Sequence, residues 1–194
     1  MTAVSFSLLS TISNLSALQG EMQLLLQQDW QAHVNQRDYQ GGWDVLPLRC
    51  AAEHLHSHAL LQSFALAGVT AWQDLPLLSQ CPALRAWLQS LPWPVKSVRL
   101  MRLQAGALIK PHRDHGLCLE QGEARLHLPL QTHAELRFYV NEQPVPMQAG
   151  ELWYINADQT HWVENNGQQD RINLVLDCAV NAVLQEQVYA GRQH

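Results

Sequence analysis

The pattern of hydrophobic and polar residues changes near the middle of the chain. Before residue 95, apolar residues recur at helical spacing over residues 21–34, 53–66 and 83–91. Gly41-Gly42 interrupts this pattern, and residues 43–49 are typical of a short strand. Pro82 suits the first turn of the third helix, and Pro92-Trp93-Pro94 ends it. The sequence therefore predicts a helix-rich part over residues 1–94.

After residue 95 the spacing shortens to a period of two. Residues 124–130 alternate strictly, with Arg125 and His127 on one face and Ala124, Leu126, Leu128 and Leu130 on the other. Further strands are predicted over residues 95–103, 136–141, 152–156, 161–164 and 171–178, with turns at 148–151 and 165–167. Many short strands separated by turns indicate a β-barrel or jelly roll.

We therefore predict an α+β protein that is mainly β. Residues 1–194 form one domain, in which the helix-rich residues 1–94 pack on a β core of residues 95–180, followed by a C-terminal tail of residues 181–194. A chain of 194 residues can bury a core of its own. We find no internal repeat, low-complexity segment or linker.

Composition narrows the choice of partners and location. The net charge of −5 and the scattered basic residues argue against a nucleic-acid or anionic-membrane partner. No apolar stretch has the length of a membrane span, and the first 18 residues lack the Lys or Arg of a signal peptide. We expect a cytoplasmic monomer or homodimer that acts on a small molecule. Its four widely spaced cysteines should be reduced and buried, namely Cys50, Cys81, Cys118 and Cys178.

His112 and Asp114 form a His-x-Asp pair in a segment that we predict to be an extended strand. In a strand, residues two apart point to the same side, so these two side chains can converge on one ion. Two histidines and one carboxylate commonly hold iron(II) and leave three coordination positions open. His161, at the start of a later strand, is the candidate for the third ligand. With 10 histidines in the chain, the spacing alone does not exclude a chance arrangement.

Other metal ligands are less well supported by their surroundings. His54 and His58 are four residues apart in a predicted helix and can share one face. No carboxylate or cysteine with metal-site spacing accompanies them, so we interpret them as a polar helix face. Cys118 is near the His-x-Asp pair and is an alternative ligand.

The strand that begins at Arg171 presents a second functional pattern. Arg171, Asn173 and Val175 share one face, which can line the cavity of a jelly roll. A guanidinium there requires a partner such as the carboxylate of a 2-oxo acid. A salt bridge to Asp170 or an exposed position is the alternative. Arg125 and His127 either add a second positive site beside the metal or form the polar outer face of a sheet.

The ordered motifs of residues 95–180 resemble the aspartyl/asparaginyl β-hydroxylase family, and in particular its small bacterial proline-hydroxylase-like members. The motifs are Ile109-Lys110-Pro111-His112-x-Asp114-His115, Arg125-Leu126-His127-Leu128-Pro129-Leu130, Gly150-Glu151-x-Trp153-Tyr154-Ile155-Asn156, His161-x-Val163-x-Asn165-x-Gly167 and Asp170-Arg171-Ile172. Vertebrate members that hydroxylate peptides lack the acidic ligand, which is present here as Asp114. This difference favours the bacterial branch that acts on small molecules.

The resemblance implies a double-stranded β-helix of the cupin-like, jelly-roll type. It also implies a dioxygenase that uses iron(II), the cosubstrate 2-oxoglutarate and O2. Carried over by position, it implies that iron is bound at the catalytic centre by His112, Asp114 and His161. It implies that Arg171 binds the distal carboxylate of 2-oxoglutarate, with Arg125 and His127 near the other end of that molecule.

We expect hydroxylation of an unactivated C–H bond in a free amino acid such as proline. The alternatives are an Asp, Asn or other residue of a peptide or protein, a lipid, or a non-catalytic cupin-like module that binds a small acid. Arg49 and Arg102 are candidates for binding a substrate carboxylate, and Asp44 or Glu53 for binding an ammonium, although each also fits a surface position. Aromatic residues that can wall the pocket, or else belong to the core, are Trp30, Trp43, Trp153, Tyr154 and Trp162.

Overall fold

The computed structural model describes residues 3–59, 61–63 and 69–191, which form two antiparallel β-sheets with helices on one side. The helices are α1 (Leu15–Leu25), α2 (Pro82–Ser90) and α3 (Ala182–Ala190). The strands are β1 (Phe6–Thr11), β2 (Gln31–Ala32), β3 (Tyr39–Gln40), β4 (Trp43–Ala51), β5 (Trp72–Asp74), β6 (Val95–Leu103), β7 (Leu108–His112), β8 (Glu123–Gln131), β9 (Leu136–Val140), β10 (Gln143–Pro144), β11 (Glu151–Ile155), β12 (His161–Asn165) and β13 (Arg171–Ala179).

Strand order places Arg171 on β13, and His112 and His161 on the paired strands β7 and β12, away from the sheet edges. The larger sheet runs β1-β11-β8-β13-β6-β4-β2, with β5 paired to β4, so β13 lies between β8 and β6. The smaller sheet runs β10-β9-β12-β7-β3. In the smaller sheet β12 pairs with β7 in a register that sets His161 opposite His112.

Two hydrophobic clusters hold the layers together. The larger cluster lies between the outer face of the larger sheet and the helices, where Leu126 and Leu128 of β8 meet Leu18 and Met22 of α1. The smaller cluster fills part of the space between the two sheets and includes Trp43, Phe138, Trp153 and Val163. Because successive residues of a strand point to opposite faces, residues between the outward leucines of β8 face the space between the sheets.

The predicted strands are confirmed across the β half of the chain. Each segment expected from residue 95 onward is a strand, and residues 43–49 fall within β4. The predicted helix over residues 83–91 matches α2 to within one residue at each end. On β8 the four alternating apolar residues are all buried, which confirms that they face the core. None of the helices among the described residues combines the length and apolar character needed to cross a membrane.

The prediction of a helix-rich N-terminal half is not confirmed. β1 and β4 belong to the larger sheet, and α1 and α2 are the α-helices in the described part of residues 1–94. The helix expected over residues 21–34 lies earlier and ends at Leu25, since Gln31–Ala32 pairs with β4. Local apolar spacing does not reveal this pairing, because the partner strand supplies the backbone hydrogen bonds.

Two further boundaries differ from the prediction. Where a helix was expected over residues 53–66, the described residues form short 3-10 turns at Ala52–His54 and Leu61–Ser63, and residues 60 and 64–66 lie outside the described residues. The segment expected to be a C-terminal tail contains α3. Its cap is Asn181, whose side chain accepts a hydrogen bond from the Leu184 backbone N–H at 2.9 Å. Burial of Leu184 and Val188 fixes this helix to the protein.

Candidate metal centre and its cavity

A cavity of about 500 Å³ lies between the two sheets beside the smaller hydrophobic cluster. This volume is within the range of roughly 300–1,000 Å³ that small-molecule sites occupy. Its lining is rich in charge and in imidazoles, contributed by His33, Lys96, Arg99, His112, Arg113, Asp114, His115, Glu123, Arg125, His127, His161 and Arg171. Such a concentration of polar groups in a concave site indicates binding or catalysis.

The structure brings the three predicted metal ligands together. The rings of His112 and His161 face each other across the β7–β12 pair, with centroids 4.2 Å apart. Asp114 follows the end of β7, where its backbone N–H donates to the Ala157 carbonyl at 2.8 Å. One potential ligand atom from each of the three side chains lies within 4.8 Å of the other two.

Hydrogen bonds fix which nitrogen of each histidine is available. The His112 Nδ1 lies 2.8 Å from the Lys110 carbonyl oxygen, and the His161 Nδ1 lies 3.0 Å from that of Gln159. A carbonyl oxygen only accepts, so each Nδ1 carries the proton and each Nε2 keeps its lone pair. Burial, followed by the nearby His112, lowers the pKa of His161 to about 4. His161 is therefore neutral at pH 7, as a metal ligand must be.

A chain of charges connects Asp114 to the interior of the larger sheet. Arg125 contacts the Asp114 carboxylate through Nη1, and its Nε donates to Asp177 at 2.7 Å. Arg99 donates to the same Asp177 carboxylate at 2.8 Å. Burial acts to raise the pKa of each carboxyl and is the largest single effect. The nearby charges together outweigh it, with Arg125 first at both carboxyls, His161 and His112 adding at Asp114 and Arg99 adding at Asp177, so both pKa values lie below their usual range. Both carboxylates are therefore ionised at neutral pH.

Arg171 differs from these arginines because no carboxylate among the described residues pairs with it. The residue is 4% exposed, its Nε has no hydrogen-bond partner among the described residues, and its guanidinium contacts the Met147 sulfur and the Phe138 ring. Burial lowers its pKa to about 10, which leaves it charged at pH 7. The alternative of a salt bridge to Asp170 is not observed among the described residues, where the Asp170 carboxylate accepts from the Ala105 N–H.

His127 presents a hydrogen-bond donor to the cavity near Arg171. The Asn173 amide nitrogen, which can only donate, lies 3.0 Å from the His127 Nδ1. The proton of the neutral ring is therefore on Nε2. Burial, followed by the charge of Arg171, lowers the pKa of His127 well below its ordinary value. The predicted positions of Arg125, His127 and Arg171 on the cavity face are thus observed.

Comparison with known proteins gives the family. Residues 13–180 match the model of the aspartyl/asparaginyl β-hydroxylase family. The chain belongs to this family. A curated relative, the L-proline cis-4-hydroxylase of Rhizobium meliloti (strain 1021), is 28% identical over 123 residues. That alignment covers 57% of this chain and 44% of the relative, so the chain spans less than half the length of that relative.

Solved structures of low sequence identity share the fold of this family member. The non-heme α-ketoglutarate-dependent epimerase SnoN from nogalamycin biosynthesis has a TM-score of 0.54 at 12% identity, covering 91% of this chain and 78% of its own. HygX from Streptomyces hygroscopicus, solved with nickel and 2-oxoglutarate bound, has a TM-score of 0.54 at 11% identity, covering 93% and 84%. These similarities show that the chain shares the fold of these two proteins, which is mainly β in this structure.

The residues suggested for substrate contact do not reach the cavity. Arg49 pairs with Asp74, and Arg102 pairs with Asp44 at 2.8 Å. Arg49, Arg102, Asp44 and Glu53 are absent from the lining of the cavity. Of the five aromatic candidates, Trp43 alone lines the cavity among the described residues. The others are Trp30 beneath Arg102, Trp153 and Tyr154 in the core, and Trp162 stacked on Tyr139.

The alternative metal ligands are not assembled into a site. Within the described residues, the cluster of His112, Asp114 and His161 is the one group of three or more ligating side chains close enough to share an ion. His54 lies in a 3-10 turn that ends before His58, so the two histidines do not share a helix face. Cys118 and the other three cysteines are free and buried, as predicted.

Sequence reasoning missed six charged or imidazole side chains that line the cavity. They are His33, Lys96, Arg99, Arg113, His115 and Glu123. Arg99 could have been predicted from the sequence. It alternates with Val98 and Leu100 along β6, as Arg125 and His127 alternate with apolar residues along β8. His33 had no such signal. Its ring stacks on Trp43 at 3.6 Å, and only the tertiary structure brings that pair to the cavity.

Proposed function

We propose that the protein is an iron(II)- and 2-oxoglutarate-dependent dioxygenase that hydroxylates a C–H bond of a free amino acid such as proline. One observation carries the proposal. The cavity that holds His112, Asp114 and His161 also holds the buried guanidinium of Arg171, which has no carboxylate partner among the described residues. A metal triad together with an unpaired cation suits a cofactor that is both a chelator and a dianion.

The donor set fits iron(II). Two imidazoles whose Nδ1 atoms face carbonyl oxygens, which directs Nε2 to the ion, and one ionised carboxylate form a three-ligand set that leaves coordination positions open. The bound ion supplies the oxidative chemistry, in which O2 and 2-oxoglutarate are consumed and a hydroxyl group is transferred to the substrate. The protein orients the ligands through the Lys110 and Gln159 carbonyls, which fix both rings.

Arg171 and His127 are the residues we assign to the cosubstrate. A planar guanidinium binds a carboxylate through two parallel hydrogen bonds, and a buried unpaired charge is stabilised by such an anion. The His127 Nε2–H is placed to donate a further hydrogen bond to that ligand. The apolar contacts of Phe138 and Met147 with Arg171 exclude water from this end of the cavity.

The remaining lining supports a small substrate. Arg99 donates to Asp177 and Ser97 through Nη1 alone. Its other guanidinium N–H groups remain to bind a substrate carboxylate in the cavity. Trp43 lies beside His112, with ring centroids 6.3 Å apart, and its flat surface suits a ring such as that of proline. The activity of the proline cis-4-hydroxylase relative supports the same class of substrate.

Succinate release from 2-oxoglutarate tests this proposal. With iron(II), ascorbate and air, we expect one or a few of the twenty free amino acids to stimulate release at least tenfold, and short peptides to have no effect. His161→Ala should abolish the stimulation while the far-UV spectrum stays native. His56→Ala, which removes an exposed histidine outside the cavity, is the matched control. Stimulation by peptides alone would show that the substrate is a peptide and not a free amino acid. Normal turnover by His161→Ala would show that His161 is not a metal ligand.

A further inference from the structure

Glu123 has an oxygen that the protein leaves unused. It is the first residue of β8 and lines the cavity together with Lys96. One carboxylate oxygen, Oε1, pairs with the Lys96 ammonium. The other, Oε2, is buried and has no hydrogen-bond partner in the described part of the chain. A buried acceptor without a donor destabilises a protein, so such an atom in a binding cavity indicates a donor that arrives with a ligand.

The position of Glu123 separates it from the groups assigned to the metal and the cosubstrate. Glu123, Arg125 and His127 lie on the same face of β8, and residues two apart along a strand are about 7 Å from each other. His127 lies beside Arg171 at the cosubstrate end, and Arg125 contacts the metal ligand Asp114. Glu123 therefore lies on the far side of the metal centre from the cosubstrate, where the substrate has room.

The other carboxylate of the lining is already committed. Among the described residues that line the cavity, Asp114 and Glu123 are the two acidic side chains. Asp114 is paired with Arg125 and belongs to the metal cluster. The remaining charges of the lining are cations, which repel an ammonium. Apart from the candidate metal ligand Asp114, Glu123 is therefore the acidic side chain of the described lining at which a cationic group of the substrate can be stabilised, next to its pair with Lys96.

We propose that Glu123 Oε2 binds the ammonium group of the substrate and thereby selects free amines over N-acylated compounds. The proposal rests on the function proposed above. It assigns Arg99 and Glu123 to the two ends of one zwitterion, with both side chains facing the same cavity. An N-acetyl group removes the positive charge and adds a carbonyl oxygen that opposes the carboxylate, so acylated amino acids and internal peptide residues are rejected at this position.

The test compares binding of an amino acid with binding of its N-acetyl derivative. The protein is loaded with nickel(II) and 2-oxoglutarate, and calorimetry measures the affinity for the twenty free amino acids and their N-acetyl forms. Wild type should bind at least one free amino acid ten times or more tightly than its N-acetyl form. Glu123→Gln keeps an acceptor for Lys96 but loses the charge, and should bind that amino acid at least tenfold more weakly with unchanged affinity for the N-acetyl form.

Controls separate this role from a structural one and from the proposed function. Glu120→Gln alters an exposed carboxylate three residues earlier that does not line the cavity, and should behave as wild type. Glu123→Gln that keeps the full preference for the free amine would overturn the inference. If 2-oxoglutarate and metal bind but no free amino acid is preferred over its N-acetyl form, the inference is also overturned while the cofactor assignment stands. If 2-oxoglutarate fails to bind the metal-loaded protein, the proposed function fails and the inference fails with it.

Discussion

At the scale of single residues, the buried arginines of the cavity divide into two kinds. Arg99 and Arg125 share the carboxylate of Asp177, so their charges are balanced within the protein. Arg171 is also buried, but no carboxylate among the described residues pairs with it, and it contacts the Met147 sulfur and the Phe138 ring. The ion pairs of Arg99 and Arg125 hold the strands together, and Arg99 keeps further guanidinium N–H groups at the cavity. Arg171, without a carboxylate partner among the described residues, depends on an anionic ligand to balance its charge. The difference lies in the partners and not in the residue type.

Replacing Arg171 tests this distinction. Arg171→Met keeps most of the volume and removes the charge, so we expect the dissociation constant for 2-oxoglutarate to rise at least tenfold while metal affinity stays the same. The visible band of the anaerobic iron(II)–2-oxoglutarate complex reports cosubstrate binding, and calorimetry reports metal binding. Arg137→Met, at an exposed arginine of β9, is the control. Equal losses of metal and cosubstrate affinity would contradict the assignment of Arg171.

At the scale of elements, the loop that carries Asp114 is held by the loop between β11 and β12. Ala157 accepts from the Asp114 N–H at 2.8 Å and donates to the Leu117 carbonyl at 3.1 Å. Asp158 accepts from the Gly116 N–H at 3.3 Å and pairs with Arg113. Gly116 has a φ of 83°, a left-handed conformation that glycine adopts without strain. These contacts hold Asp114, the candidate carboxylate ligand, close to the ends of β7 and β12 that carry His112 and His161.

The role of Asp158 in this loop is measurable. Asp158→Ala removes three side-chain contacts to the loop, with Arg113, His115 and the Gly116 N–H, without changing the candidate metal ligands. We therefore expect metal affinity to fall by about tenfold, the lower end of what loss of a contact behind a metal ligand causes. Thermal stability should change little, since the pair with Arg113 is partly exposed. Asp29→Ala, at an exposed aspartate far from the loop, is the control. Unchanged metal affinity in Asp158→Ala would show that the backbone bonds of Ala157 suffice to hold Asp114.

At the scale of the whole molecule, Asp177 ties three strands of the larger sheet together. Its carboxylate on β13 receives Arg99 from β6 and Arg125 from β8, and its side chain is fully buried. Ser97 donates a further hydrogen bond to it at 3.0 Å. Because Arg125 continues to Asp114, the same network connects the stability of the sheet to the metal centre.

Asp177→Asn should destabilise the protein in a way that depends on pH. Breaking a buried ion pair from one side costs about 3–5 kcal/mol, which we expect at pH 7. The folded pKa of Asp177 lies below the unfolded value of about 3.9, so its charge contributes stability above that pH and the contribution is lost as pH falls below it. The gap between wild type and variant should therefore narrow between pH 5 and pH 2 in urea unfolding. A gap that stays constant over this range would contradict the assignment, and Asp29→Asn is the control.

The sequence alone determined the strand pattern of the β half and the face on which its polar residues lie. Strict alternation along β8 separated the buried leucines from Arg125 and His127, because a two-residue period leaves no other arrangement. The three candidate metal ligands could also be predicted from the sequence, since His112 and Asp114 are two residues apart and His161 begins a strand. In each case a local rule fixes the direction of the side chain.

Only the tertiary structure decided which strands are neighbours and which charges remain unpaired. The N-terminal half appeared helical because apolar spacing in a single window does not show that β4 pairs with β6 and β1 with β11. Arg102 and Arg99 are close in sequence, yet the first pairs with Asp44 and the second enters the cavity. Whether a buried charge has a partner depends on residues far away in the chain. Arg171 without a carboxylate partner and the Glu123 oxygen without a donor, both judged within the described residues, can therefore be recognised only in the folded structure.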